Sequence, residues 1–412
     1  MYLNLIISLF SLLPLSMILG NFMINLNIIV IDLIFLSVCL IQRKWEWCKD
    51  KFFLTILVFY FYLIINSIFN YYQNPSYGID GIIRSVSFIK FILFLYSFQL
   101  LIPNKDALNK IIFFWMCIVS IVVFDVFFEK YFGFNTLGFK SLNSTRIISF
   151  FYDESIVGSF LFCFGFISCA YFLQENNNSV RYKTILNLLI FLVLIAVFFS
   201  GERSNFIKSF FLFSLIILFI NSEKLLIKKY ILFITLLISL VSSTLISKTI
   251  YVKQTEFFKR IFINKDSQNF SDRVSNIKYF AHYDTAWKIF LNYPINGIGS
   301  KNFRSECKKS EYLNTNLKHS INRCNTHPHQ VHFELLSEHG LIGYLLFFYL
   351  IWLLIRKNFF YNKKNIFFLS INLYIIIFLL PILPSGSIFS STSGFTFWII
   401  FSLLNYFNKK FN

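Results

Sequence analysis

Four of the chain's six histidines fall between positions 327 and 339: His327, His329, His332 and His339. They sit in the stretch Asn322 to Gly343, which also holds Gln330, Glu334, Glu338 and Gly340. A neutral imidazole, with an unperturbed pKa of about 6.5, can take a proton from a hydroxyl at physiological pH. If a helix starts near His329, then His329, His332, Leu336, His339 and Gly343 share one face. Two other readings of the cluster stand beside general base chemistry. His327, His329, His332 and Glu334 could bind a metal, although their spacing matches no strong zinc signature. The cluster could also simply pack at an interface.

Guanidinium groups suited to phosphate oxygens occur at several places. The polar turn Gly201-Glu202-Arg203-Ser204-Asn205 interrupts two apolar runs and holds Arg203 at the edge of a membrane. Arg146 precedes Asp153, Glu154 and Gly158; it reads as a further phosphate ligand, with Glu154 as its partner or as an acceptor for sugar hydroxyls. The same acidic pair could equally serve a helix N-terminus through its dipole. Arg84 and Lys90 fall inside an apolar run, where a basic residue costs roughly 2.5 to 3.5 kcal/mol. Arg84 reads as a snorkelling anchor and Lys90 as the deeper charge. Upstream of the histidines, Pro294, Gly297 and Gly299 form a Gly-x-Gly turn that lets backbone N–H groups approach an anion. It lacks the preceding strand that a dinucleotide-binding fold requires.

These residues must be carried by membrane helices. Of 412 residues 56% are hydrophobic and only 14% charged, with a net charge of +18; the mean hydropathy is +0.63. A soluble domain has about a quarter charged residues, so one soluble core is excluded. Spans are expected near 5–19, 28–41, 52–69, 82–101, 111–128, 155–173, 184–200, 206–220, 230–247, 336–355, 366–383 and 395–407. The expected fold is an all-α polytopic membrane protein of about twelve helices, with one large extracytoplasmic loop between the ninth and tenth. The domain organisation is helices over 1–247, a loop over 248–335 that carries the histidines, and helices over 336–412.

Charge placement sets the orientation. Short segments on the side of both termini carry 17 Lys and Arg, and those on the other side carry four. The positive-inside rule makes the rich side cytoplasmic and the long loop periplasmic. That loop holds 14 basic and seven acidic residues, a net positive surface facing anionic lipid or pyrophosphate. Nucleic acid is not a partner of such a surface. Cys307 and Cys324 lie in the loop, where an oxidising compartment would permit a disulfide worth roughly 3 kcal/mol in the chain-entropy model.

Pro294-Ile295-Asn296-Gly297-Ile298-Gly299 with Asn302 and Phe303, then His327-Pro328-His329-Gln330, then Gly340-Leu341-Ile342-Gly343, resembles the signature of the O-antigen ligase and Wzy-type polymerase superfamily. Ser200 to Ser204 resembles its arginine turn, with Ile207 where the family often has Leu. The resemblance implies a bacterial inner-membrane glycosyltransferase with no metal or other cofactor, inverting at the anomeric carbon. The donor it implies is an undecaprenyl-diphosphate-linked glycan, and the acceptor a lipid A-core sugar for a ligase or a growing glycan for a polymerase. His329 would be the general base, and Arg203 would bind the donor diphosphate, with His327 and Gln330 in the same motif. A second family arginine has Arg273 as its first candidate and Arg304 behind it. Ligation is the favoured reading and polymerisation its alternative; transfer to protein and polysaccharide transport without chemistry stand further off. A transporter would scatter charges through several spans near mid-depth.

Overall fold

The computed structural model of the chain describes residues 2–141, 146–152, 156–175, 180–219, 278–356 apart from 316 and 318, and 365–410 apart from 382. Among these residues the secondary structure is helical, with no strand. Two short helices, Tyr2–Ser11 and Leu13–Ile18, come first. The main helices are α1 (Asn21–Gln42), α2 (Lys51–Gln73), α3 (Asp80–Leu101), α4 (Lys105–Phe132) and α5 (Val157–Glu175). They continue with α6 (Val180–Phe199), α7 (Arg203–Phe219), α8 (Lys278–Asn292), α9 (Val331–Arg356), α10 (Ile366–Phe378) and α11 (Ser393–Lys410). Six of these, α1 to α5 and α9, are long and apolar enough to cross a membrane. The span expected over 230–247 lies outside the described residues.

Local chemistry explains where the helices start and stop. Asp50 accepts from the Phe52 N–H at the start of α2, and Asn104 from the Ala107 N–H at the start of α4. Both satisfy orphan donors of the first turn. Gly133 closes α4 in the left-handed conformation, φ 79°. Inside the bundle, α3 packs against α1 and α11, while α10 packs against α5, α7 and α11. Aromatic rings fill the gaps: Phe91 stacks on Trp398 at 5.8 Å, and the Trp115 indole N–H donates to the Phe10 carbonyl at 2.9 Å. In a bilayer this close packing replaces water exclusion as the driving force between helices.

Residues 278–330 have a small core of their own, built from Tyr77, Ala286, Ile289, Ile298, Phe303 and Tyr312 with Cys307. Cys307 and Cys324 are joined by a disulfide with Cα atoms 5.4 Å apart. The buried Glu306 carboxylate accepts from the Tyr77 and Tyr312 hydroxyls, at 2.6 and 2.8 Å. Tyr77 of the α2–α3 connection and Tyr312 of the loop therefore share an acid, which fastens the loop to that connection.

α9 starts at Val331 and breaks at Gly340, where φ is 61° and ψ −166°. The break frees backbone groups, and every one of those named here finds a partner, as buried polar groups must. The carbonyls of Ser337, Glu338 and His339 accept from Ile298 N–H (3.0 Å), Gly299 N–H (2.7 Å) and the Tyr62 hydroxyl (2.5 Å) respectively. The N–H groups of Leu341 and Ile342 donate to the Pro294 and Ile295 carbonyls, at 2.8 and 3.3 Å. The segment 294–299 is thus laced into the gap in the helix. Two glycines make the approach close enough: a Cβ on Gly297 would lie 2.5 Å from the Glu338 carbonyl carbon, and one on Gly340 would strike the Ile295 carbonyl.

A comparison of two glycines checks this account. Gly133 has a positive φ but open space around it, so Gly133→Ala should cost only the left-handed penalty, about 1–2 kcal/mol. Gly340→Ala meets that penalty and a backbone clash, which should add about 1–3 kcal/mol. Thermal melting in detergent should rank them in that order, and equal losses would mean that segment 294–299 yields freely.

Candidate functional site

His329 sits two residues ahead of α9 with φ 59°, a left-handed conformation uncommon for a residue with a side chain. Such strain persists only where the surroundings impose it. Here the His329 carbonyl accepts from the Ser385 N–H at 2.8 Å, and the Ser385 hydroxyl accepts from the Val331 N–H at 3.1 Å. Gln330 caps the new helix, its Oε1 accepting from the Phe333 N–H at 3.1 Å. The half-buried His329 ring lies among three others, with centroids 4.4 Å away at His327, 5.4 Å at His282 and 5.5 Å at Tyr279. His282 Nδ1 lies 2.8 Å from the Arg323 carbonyl, which can only accept, so Nδ1 carries a hydrogen in this contact. Burial, and then the charge of Arg84, push His327 down to about 4. That ring is neutral at pH 7.

Beneath the histidines lies a buried ion cluster. Arg84, on the first turns of α3, contacts Glu334 at 2.6 Å and Glu338 at 3.2 Å, both carboxylates wholly buried on α9. Its guanidinium also donates to Ser387, whose hydroxyl reaches Glu334 at 2.6 Å. Glu338 in turn accepts from the backbone N–H groups of Lys301 (2.9 Å) and Phe303 (3.4 Å). A hydroxyl chain, Ser67–Ser85–Ser300 at 2.8 and 2.7 Å, runs beside it. Arg84 does not snorkel as its sequence position suggests. Its side chain is only 13% exposed because two buried acids, one turn apart on α9, hold it inside.

The arginine turn stands at the same end of the bundle. Arg203 opens α7 and is exposed. Its neighbour Glu202 accepts from the Gly158 N–H and the Asn205 amide, both at 2.6 Å, so it braces the start of α5. Burial pushes Glu202 up to about 7, against the pull of those donors and of Arg146. Arg146 is therefore close enough for its charge to act on Glu202. The Arg146 segment is held by two buried acids of α4: Glu129 accepts from the Ile148 and Ser149 N–H groups at 3.2 and 2.6 Å, and Asp125 from the Ser149 hydroxyl at 2.6 Å. One dipeptide joins this region to the histidines. The Pro384 carbonyl accepts from the Ser204 hydroxyl (2.6 Å) and Lys208 (2.9 Å), and the next residue, Ser385, holds His329.

The residues singled out in the sequence divide accordingly. His327, His329 and Gln330 come together, and Arg203 and Arg146 are gathered at the neighbouring turn. Arg304 is paired with Asp80, which also contacts Lys301 at 3.3 Å. Lys90 lies deeper on α3 and donates to Asn25 of α1 at 2.6 Å. Arg273 and Glu154 lie outside the described residues. The shared helical face does not form, because the helix starts after His329. His332 turns away to the Leu379 carbonyl, with Nε2 at 2.7 Å, and stacks on Phe348. With Glu334 taken by Arg84, the proposed four-ligand metal set does not converge, and among the described residues no three His, Cys, Asp or Glu side chains do. Sequence reasoning missed His282 and the 384–387 segment. The only signal for His282 was its place on the buried edge of an amphipathic helix, and Pro384-Ser385-Gly386-Ser387 stood out only as a polar interruption between apolar runs.

A family model described as O-antigen ligase matches residues 188–348, which include the arginine turn, the 294–299 segment and the His329 motif. No curated protein matches the chain.

Two measurements test the electrostatics. Arg84→Gln leaves two buried carboxylates without their cation and should lower stability by about 3–5 kcal/mol. Adding Glu338→Gln should recover part of that loss in detergent melts, and a single variant as stable as the native chain would refute the cluster. The folded protein binds the Glu202 proton more tightly than the unfolded chain, so this group's contribution is present below pH 4.5 and lost as pH rises through about 7. Glu202→Gln should flatten that part of the stability curve; an unchanged slope assigns it to another group.

Proposed function

We propose that this chain, whose residues 188–348 belong to the O-antigen ligase superfamily, is an O-antigen ligase of the bacterial inner membrane. The family model over residues 188–348 and six described helices long and apolar enough to cross a membrane support a membrane protein of the O-antigen ligase and polymerase family, whose members transfer glycosyl groups. In the finer reading the donor is a glycan on undecaprenyl diphosphate, and the acceptor is a hydroxyl of a lipid A-core sugar. The termini lie in the cytoplasm and the long loop in the periplasm, a placement supported by the basic residues of the opposite segments.

The observation that carries the reading is the Pro384–Ser385 link between a histidine and an arginine turn. It supports a site in which base and diphosphate ligand work on one substrate. His329 takes the proton of the acceptor hydroxyl as its oxygen attacks the anomeric carbon. The bond from that carbon to the diphosphate oxygen breaks on the opposite face, so the configuration inverts. Negative charge gathers on the departing diphosphate, and Arg203, with Arg146 near it, faces that charge. His327 stays neutral beside the base and adds no positive charge that would oppose proton uptake.

The reaction is tested by complementing two hosts, one lacking its ligase and one lacking its polymerase, with lipopolysaccharide banding as the readout. Restored attachment supports ligation; restored laddering instead makes the chain a polymerase. In whichever host responds, His329→Ala should abolish transfer while membrane levels stay normal. Arg203→Lys should lose most of the activity, because an ammonium does not reproduce the two-pronged guanidinium contact. Near-native transfer by His329→Ala removes the base assignment.

A further inference from the structure

Helix α8 has two unlike edges. Inward, Ala286 and Ile289 enter the small core, and His282 and Thr285 are buried beside the site. Outward, Trp287 and Leu291 are 44% and 58% exposed, and Ile295, four residues further in the turn that follows, is 64% exposed. Large apolar side chains repeated at this spacing make one continuous strip. Along it the Trp287 ring meets the neighbouring Phe290 ring at 5.2 Å, and all three side chains remain well exposed among the described residues.

Its neighbours say what covers it. The Ile295 carbonyl accepts from the Ile342 N–H, and Pro294 from Leu341. Leu341, Ile342 and Leu345 are themselves 48%, 41% and 57% exposed on α9, a helix apolar enough to span the bilayer. The strip on α8 therefore adjoins the exposed apolar side of a helix long and apolar enough to cross a membrane. Residues 278–330 carry eight basic and three acidic side chains, a balance that suits anionic headgroups. Trp287 is the residue type that favours the depth where chains meet headgroups.

We propose that the Trp287–Leu291–Ile295 edge is a membrane-docking surface, seated in the interfacial zone of the leaflet on the side of the site. Its occupant is the phospholipid leaflet itself, entered by an amphipathic helix lying along the surface. α8 then carries His282 on the face turned from the lipid, so the leaflet fixes the height at which the histidines stand. The inference rests on α9 spanning the bilayer and not on the chemistry proposed for His329.

The test uses the whole chain in vesicles of mixed anionic and zwitterionic phospholipid. The emission difference between the native protein and Trp287→Phe isolates this indole. Vesicles whose acyl chains are brominated near the headgroup should quench most of that difference, and aqueous iodide should leave it intact. Quenching by iodide with no effect of bromine would place the edge in water and overturn the proposal. Insensitivity to both would overturn it too, by showing a protein surface covering the edge.

Discussion

A single guanidinium shared by two buried carboxylates is the contact on which the arrangement of this molecule turns. Arg84 comes from α3, Glu334 and Glu338 from α9, and Ser387 from the connection between α10 and α11. Taking three charges out of water is costly, and the cost is offset only when geometry and extra hydrogen bonds are good. Glu338 meets that requirement with two backbone donors, Lys301 and Phe303, and Glu334 receives a serine hydroxyl at Oε1. Because these groups come from α3, α9, the 301–303 segment and the α10–α11 connection, removing the charges from solvent brings four segments to one place. The ion cluster acts as a specifier of position more than as a source of net stability.

Upon this base the backbone does the finer work. The break at Gly340 would be intolerable in a spanning helix if its freed groups faced lipid, where each unpaired group costs several kcal/mol. They face instead the 294–299 segment, which supplies both donors and acceptors. The interruption thus makes a seat for the loop, and the loop repairs the interruption. His329 stands just ahead of the same helix in a conformation that Ser385 holds by both its backbone N–H and its hydroxyl. The site is rigid because its strained residue is pinned from outside its own segment.

Much of this could be read from the sequence, and the failures share a cause. Helix positions followed from apolar run length, and the His327–Gln330 and Gly340–Gly343 motifs pointed to the segment that the family model also covers. The turn at Arg203 was legible because polar residues between two apolar runs have nowhere to go but the end of a bundle. Arg84 was misread as an anchor, since its partners lie some 250 residues away and a hydropathy window sees only neighbours. His332 was grouped with His329 because spacing assumes a continuous helix, whereas the helix begins between them. Lys90, read as the deeper charge of the two, lies six residues further along α3 against Asn25 of α1, a partner that no local pattern names. Local pattern gives elements; it does not give the long-range partners that decide what a buried charge is for.

The extent of the family match makes the same point from another direction. It ends at residue 348 and begins at 188, yet the groups that hold its key residues lie beyond both limits. Arg84 precedes it, and Pro384, Ser385 and Ser387 follow it. An antiparallel bundle brings such segments together cheaply, because every second connection emerges at the same end regardless of distance along the chain. The histidine motif and the arginine turn can therefore stay in one recognisable stretch while the groups that hold them are dispersed. Those supports need only be a carbonyl, a hydroxyl or a well-placed charge, requirements that many residue types satisfy. The supporting residues are consequently visible only once the helices are assembled, and the precision of the histidine and the arginine turn depends on them.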